Sequence, residues 1–203
     1  MARDVDEPSK HNRRFNAMIY LVSGFMRSGT SMAMEALEAG GLEAVYSKAR
    51  DQRMNDRWGE PDATHPYVPN ERYYELDNED YRKPEFPKPY EGKLIKCLWG
   101  GITRLPVGEY RVVFMRRPRN EIRTSLIAFF GNSMPVVDDS GFDAHMDRVV
   151  SILRDRASFK SVDEVWYADV LAEPEKVFRS LDWPIDPVKA ATIPEQRRAR
   201  YSA

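Results

Sequence analysis

Gly24-Phe25-Met26-Arg27-Ser28-Gly29-Thr30-Ser31 has the spacing G-x-x-x-x-G-x-[ST] of a loop that holds phosphate. Glycines at the two ends let the backbone curl around an anion, and exposed amides aim positive dipole at it. In nucleoside-triphosphate enzymes a lysine precedes the closing hydroxyl residue and reaches the outer phosphates. Here that position is Thr30, and the cation is Arg27, inside the loop. The displacement argues against ordinary ATP or GTP hydrolysis and for a shorter anion chain. It also removes the usual reason to expect Mg²⁺, so no metal is expected.

A second cluster is Arg116-Arg117-Pro118-Arg119-Asn120-Glu121-Ile122-Arg123-Thr124-Ser125. A guanidinium fork and a hydroxyl at the start of a helix suit a phosphate dianion. Two registers are open, because Arg116 with Thr124 and Arg117 with Ser125 share one spacing. Arg111, Arg116, Arg117, Arg119 and Arg123 meet a single acid, Glu121, so positive charge is concentrated locally. Taken alone, such a segment reads as a solvated basic helix end.

Both clusters need a strand before them and a helix after them. Met18 to Val22 is a continuous apolar run, as in a strand covered on both faces. Thr30 to Ala39 reads as a helix stopped by Gly40-Gly41. Leu42 to Tyr46, Lys93 to Trp99, Arg111 to Met115 and Val162 to Val170 read as further strands. Helices are predicted from Pro118 to Phe130, Phe142 to Phe159 and Pro174 to Leu181. Alternating strands and helices imply an α/β fold, a single P-loop-type domain with a central parallel sheet flanked by helices. Ligands then bind at the carboxyl ends of the strands. The domain is expected over 17–194, with a loose N-terminal tail over 1–16 and a basic C-terminal tail over 195–203. The stretch 47–90 is rich in proline and aromatic residues and is expected to be an irregular lid or acceptor segment.

At these residues the chain resembles the sulfotransferases that use the nucleotide sulfate donor PAPS. Their first element is a strand, a loop [PKR]-[KR]-S-G-T-[TS] and a helix, matched by Arg27-Ser28-Gly29-Thr30-Ser31, although Met26 stands where proline is frequent. The family's second element, R-[DN]-P-[RK]-[DN]-x-x-x-S, binds the 3′-phosphate. Its proline spacing favours Arg116 and Thr124, and its serine favours Arg117 and Ser125. Val165 to Pro174 resembles a later, mostly structural family segment, a strand ending Y-x-x-L before a short helix. The resemblance implies that Gly24, Phe25, Met26, Arg27, Ser28, Gly29, Thr30 and Ser31 hold the 5′-phosphosulfate of PAPS, and that PAP is the product. It also implies an acceptor hydroxyl or amine, whose proton needs a base. Relatives use a histidine after the middle strand or a glutamate from the acceptor side. No histidine follows Lys93 to Trp99, which leaves Glu75 first, then His65 and Glu43. Lys96 is expected in mid-strand, out of reach of the donor.

The 203 residues fit one domain with a core of its own, 42% hydrophobic and 31% charged. A formal net charge of −1 gives no general support for a nucleic-acid partner. The one cysteine, Cys97, excludes an internal disulfide, suits a reducing compartment and is expected buried. No apolar stretch is long enough for a membrane span, and Met1 to Asn16 carries no secretory h-region, so a cytoplasmic location is expected. Besides the sulfotransferase reading, two others stay open. One is a P-loop kinase-like phosphotransferase. The other is a non-catalytic nucleotide-binding module of the same fold.

Overall fold

The computed structural model describes residues 17–58, 72–77, 80–130 and 141–202. Five parallel strands form one sheet: β1 (Ile19–Gly24), β2 (Ala44–Val45), β3 (Leu94–Lys96), β4 (Tyr110–Arg116) and β5 (Phe159–Trp166), in the order β2-β3-β1-β4-β5. Helices α1 (Thr30–Ala39), α2 (Lys48–Trp58), α3 (Trp99–Ile102), α4 (Arg119–Phe130) and α5 (Phe142–Asp155) accompany them. The chain closes with α6 (Tyr167–Ala172), α7 (Pro174–Ser180) and α8 (Pro187–Ser202). This is a parallel α/β fold with β1 at the centre of the sheet.

The apolar runs alternate faces with the strand period of two. Tyr20, Val22, Leu94, Val113 and Met115 join α1, α7 and α8 in one core, with Met32, Leu37, Phe178 and Trp183. Ile19, Leu21, Ile95, Val112 and Phe114 join α4 and α5 in the other, with Ile122, Leu126, Met146 and Leu153. A sheet covered on both faces explains why β1 reads as an unbroken apolar run.

Two expectations need correction here. The stretch 47–90 contains a helix, α2, at its start. Its sequence, Lys-Ala-Arg-Asp-Gln-Arg-Met-Asn-Asp-Arg-Trp, has almost no apolar period, so hydrophobic spacing could not reveal it. The segment expected as a tail from residue 195 continues α8. Ala190 and Ala191, both buried, anchor that helix against the rest of the domain. Cys97 is buried as expected. Among the described residues no helix is long and apolar enough to cross a membrane.

Candidate functional site

The carboxyl ends of β1, β3 and β4 open on a cavity of about 640 Å³. The loop after β1 contributes Met26, Arg27, Gly29, Thr30 and Ser31. Gly24 and Gly29 shape that loop, with φ of 140° and 101°. A Cβ on Gly24 would lie 2.6 Å from the Met115 carbonyl oxygen, and one on Gly29 would lie 2.5 Å from Cδ2 of Tyr167. Both therefore serve turn and close approach together. Gly29 is also the N-cap of α1, and no side chain caps that end, which leaves its dipole aimed into the cavity.

Arg27 adopts φ 65°, a left-handed conformation that costs a non-glycine residue about 1 kcal/mol or more. Its surroundings hold it there. Nε donates to Ser125 Oγ at 3.1 Å, and the guanidinium lies 4.9 Å from the centre of the Phe129 ring. Arg117 Nη1 donates to the Arg27 carbonyl at 3.1 Å. Arg117 in turn lies over the Tyr167 ring at 4.4 Å and pairs with Glu121 at 3.0 Å. The second sequence cluster thus clamps the first.

The two registers left open above fall on different faces of β4. Arg117 and Ser125 line the cavity. Arg116, preferred by its spacing to proline, faces the other side of β4, as Val112 and Phe114 do. There it pairs with Asp147 at 2.5 Å and Glu164 at 3.7 Å. Strand alternation sends neighbouring side chains to opposite faces, and Arg117 falls on the α1 side. Thr124 is exposed and donates to the Asn120 carbonyl at 3.0 Å, away from the cavity. Phe25 also points away, stacked on Trp99 and edge-on to Phe142. Gly24 and Ser28 shape the loop from within, and Ser28 is buried.

The opposite wall corrects the expectation for Lys96. β3 ends at Lys96, so this residue stands at the carboxyl end of a central strand rather than in its middle. Its ammonium donates to Ser31 Oγ at 3.3 Å and to the Tyr73 carbonyl at 2.6 Å, and it pairs with Glu75 at 3.5 Å. Burial pulls its pKa down, while Glu75 and Asp51 push it back up. Glu75 lines the cavity, and its second oxygen pairs with Arg50 Nη2 of α2 at 2.6 Å. Arg50 Nη1 donates to the Leu76 carbonyl at 2.7 Å, which fixes the fork. Tyr74, between Tyr73 and Glu75, has φ 58°, and the turn presents the Tyr73 carbonyl and the Glu75 carboxylate to the same ammonium. Tyr74 is secured by its hydroxyl, which donates to Glu38 at 2.7 Å.

Glu43 does not belong to the site. It is largely exposed and pairs with Lys93 at 2.6 Å. His65 and the side chains of Arg197, Arg198 and Arg200 lie outside the described residues. Leu98 also lines the cavity. Tyr167 and Arg50 are cavity residues that the sequence did not single out, and Lys96 is one it placed out of reach. A lysine inside the apolar run Leu94 to Trp99 was the signal for Lys96, since a buried charge must find partners. Tyr167 opens a helix at the carboxyl end of β5, a position that could have drawn notice.

Met54, Leu98, Phe129 and Phe130 give part of the cavity an apolar lining. Arg27, Arg50, Lys96 and Arg117 give it cations, against Glu75 and Glu121. Such a site can hold an anion beside an apolar group and keep a carboxylate near both. No protein-family description matches the chain. No curated protein matches it. Among solved structures, an unliganded sugar kinase from Janibacter sp. HTCC2649 aligns over 84% of this chain and 96% of its own, at 15% identity and a TM-score of 0.40. Likeness at that level carries no inference about the chemistry of this chain.

Proposed function

We propose that this chain transfers a sulfuryl group from PAPS to a hydroxyl or amine acceptor in the cavity at the ends of β1, β3 and β4. One observation carries the reading: Lys96 Nζ donates to Ser31 Oγ at 3.3 Å. In P-loop nucleotidases the hydroxyl at this loop position and a carboxylate from a nearby strand hold Mg²⁺. Here a lysine ammonium occupies the neighbouring strand end and uses that hydroxyl as its acceptor. A fixed protein cation at this point suits a donor whose reacting group needs no bridging metal. Arg27 within the loop adds a second charge, and Arg117 with Ser125 offers a fork and a hydroxyl for the 3′-phosphate.

In the step itself, the acceptor oxygen or nitrogen attacks sulfur as the bond from sulfur to the bridging phosphate oxygen breaks. The bonding pair stays on that oxygen and PAP leaves. Arg27 and Lys96 neutralise the growing charge. The acceptor's proton passes to Glu75, which Arg50 and Lys96 hold at the cavity wall. The apolar lining from Met54, Leu98, Phe129 and Phe130 would take the body of the acceptor and keep water out.

Thermal shifts with PAP, ADP, ATP and GTP, each with and without Mg²⁺, test the reading, since a ligand that binds only the folded chain raises its melting temperature. PAP should stabilise more than ADP, and chelation should leave that stabilisation unchanged. Equal shifts from PAP and ADP would remove the case for PAPS. A strict Mg²⁺ requirement with ATP would point to a kinase-like phosphotransferase. PAP binding without turnover of PAPS over a broad acceptor panel would point to a nucleotide-binding module.

A further inference from the structure

We propose that Glu121, which no part of the transfer step uses, is a resident competitor for the Arg117 fork and so sets which anion that fork accepts; that the ligand it yields to is a 3′-phosphate rests on the PAPS reading above. A guanidinium presents its N–H groups in one plane, and a bidentate anion takes two neighbouring ones. On Arg117 one such edge is Nε with Nη2. Nε donates to Glu121 Oε2 at 3.0 Å. Nε has a single hydrogen, so an anion that takes this edge must displace Glu121. The other side of the guanidinium is tied to the loop, where Nη1 donates to the Arg27 carbonyl at 3.1 Å. The Tyr167 ring, 4.4 Å away, covers one face.

The two acceptors on Arg117 differ in how easily they let go. The Arg27 carbonyl belongs to a loop whose own side chain is fastened, by Nε to Ser125 and by the guanidinium against Phe129. Glu121 stands in the first turn of α4 and lines the cavity beside Arg117 and Ser125. Its side chain is 44% exposed, so water can receive the carboxylate at little cost. A phosphate dianion closes two charge-assisted bonds on the edge where Glu121 closes one, and the dianion wins. A hydroxyl or a weak monoanion gains no more there than the carboxylate does, and the edge stays closed to it. When PAP leaves, the returning carboxylate takes the place of the phosphate. Glu121 acts through Arg117 and not on the reacting atoms, so it is a positioning residue.

The first measurement needs no nucleotide. Inorganic phosphate is titrated into the full chain while the Arg117 Nε signal is followed by ¹H–¹⁵N NMR. The midpoint in Glu121→Gln should lie about three- to tenfold lower in phosphate than in the unsubstituted chain. Glu121→Ala, which also removes the charge, should behave alike and serves if the amide variant fails to fold. A merely structural role for Glu121 would loosen the helix start and weaken binding, a change of the opposite sign. Equal midpoints, weaker binding in the variants, or an Nε signal that ignores phosphate in every chain would overturn the proposal. The second measurement is calorimetric titration with PAP and with ADP. Glu121→Gln should bind PAP about three- to tenfold more tightly and leave ADP within about twofold. In an Arg117→Ala background the gain should vanish. A gain that survives there would mean that Glu121 repels anions without holding the fork, and would overturn the proposal. A lowered phosphate midpoint in Glu121→Gln, together with equal binding of PAP and ADP by the unsubstituted chain, would refute the donor assignment and leave the Glu121 role standing.

Discussion

Along one wall of the cavity the loop 24–31, Arg117, Ser125 and Tyr167 form a shape; along the other, Glu75, Arg50 and Lys96 form a balance of charge. The first wall depends on backbone conformation. Gly24, Arg27 and Gly29 all take positive φ, and the side chains of Arg117, Ser125 and Phe129 lock the result. The second wall depends on charged side chains brought together from distant parts of the chain. Preformed dipoles bind an anion without rearrangement. Charges in a dry pocket respond to pH and to each other. Within one cavity the chain thus sets a loop fixed by its backbone against a cluster of paired charges.

The largest effect should come from the charged wall. Lys96→Met leaves the Tyr73 carbonyl and Glu75 without the buried ammonium between them and should lower unfolding free energy by about 3–5 kcal/mol, measured by urea denaturation. Adding Glu75→Gln should recover part of the loss, whereas full additivity would mean that the two residues do not act together.

Next is Arg27→Ala, which should lower the rate of sulfuryl transfer by about 100- to 1,000-fold while weakening PAP binding much less. Arg27→Lys should recover part of the rate, since it supplies charge without the fork. Unchanged transfer by Arg27→Ala would exclude the loop cation from the chemistry.

The shaped wall is probed by Gly29→Ala. It forces a Cβ onto the Tyr167 ring at a left-handed position, which should cost about 1–3 kcal/mol in a thermal melt. Tyr167→Ala in the same chain should return the share due to the clash and leave the share due to φ.

A smaller effect separates the two arginines at the end of β4. Arg117→Ala and Ser125→Ala should each weaken PAP binding and should be coupled by about 0.5–3 kcal/mol in a double-mutant cycle. Arg116→Ala should lower stability through its lost pairs with Asp147 and Glu164 and leave PAP affinity alone. Coupling through Arg116 and Thr124 instead would mean that the bound state reverses the face seen here. Thr124→Ala by itself should change neither quantity by more than about 0.5 kcal/mol.

How much of this the amino-acid order reveals depends on range. The strand-loop-helix around Gly24 to Ser31 is local, because glycine spacing, apolar runs and a helix start act over a few residues each. The parallel α/β class follows from the same short-range periodicities, and so does the burial of Cys97. Arg27 could be named because its place inside the loop is itself the anomaly. The choice of Arg117 over Arg116 was not legible, since both fit a spacing and only the handed alternation of a strand whose end is known selects one face. Lys96 was misjudged because its role turns on β3 stopping at residue 96, and strand ends follow from pairing with β1 and β2 rather than from composition. Helix α2 carries no apolar stripe, so its contribution of Arg50 was invisible to periodicity. The order of residues therefore determined the glycine loop and the sheet that presents it. Only the tertiary structure decided which charges meet across the cavity, because a buried charge is stabilised by partners brought from far along the chain.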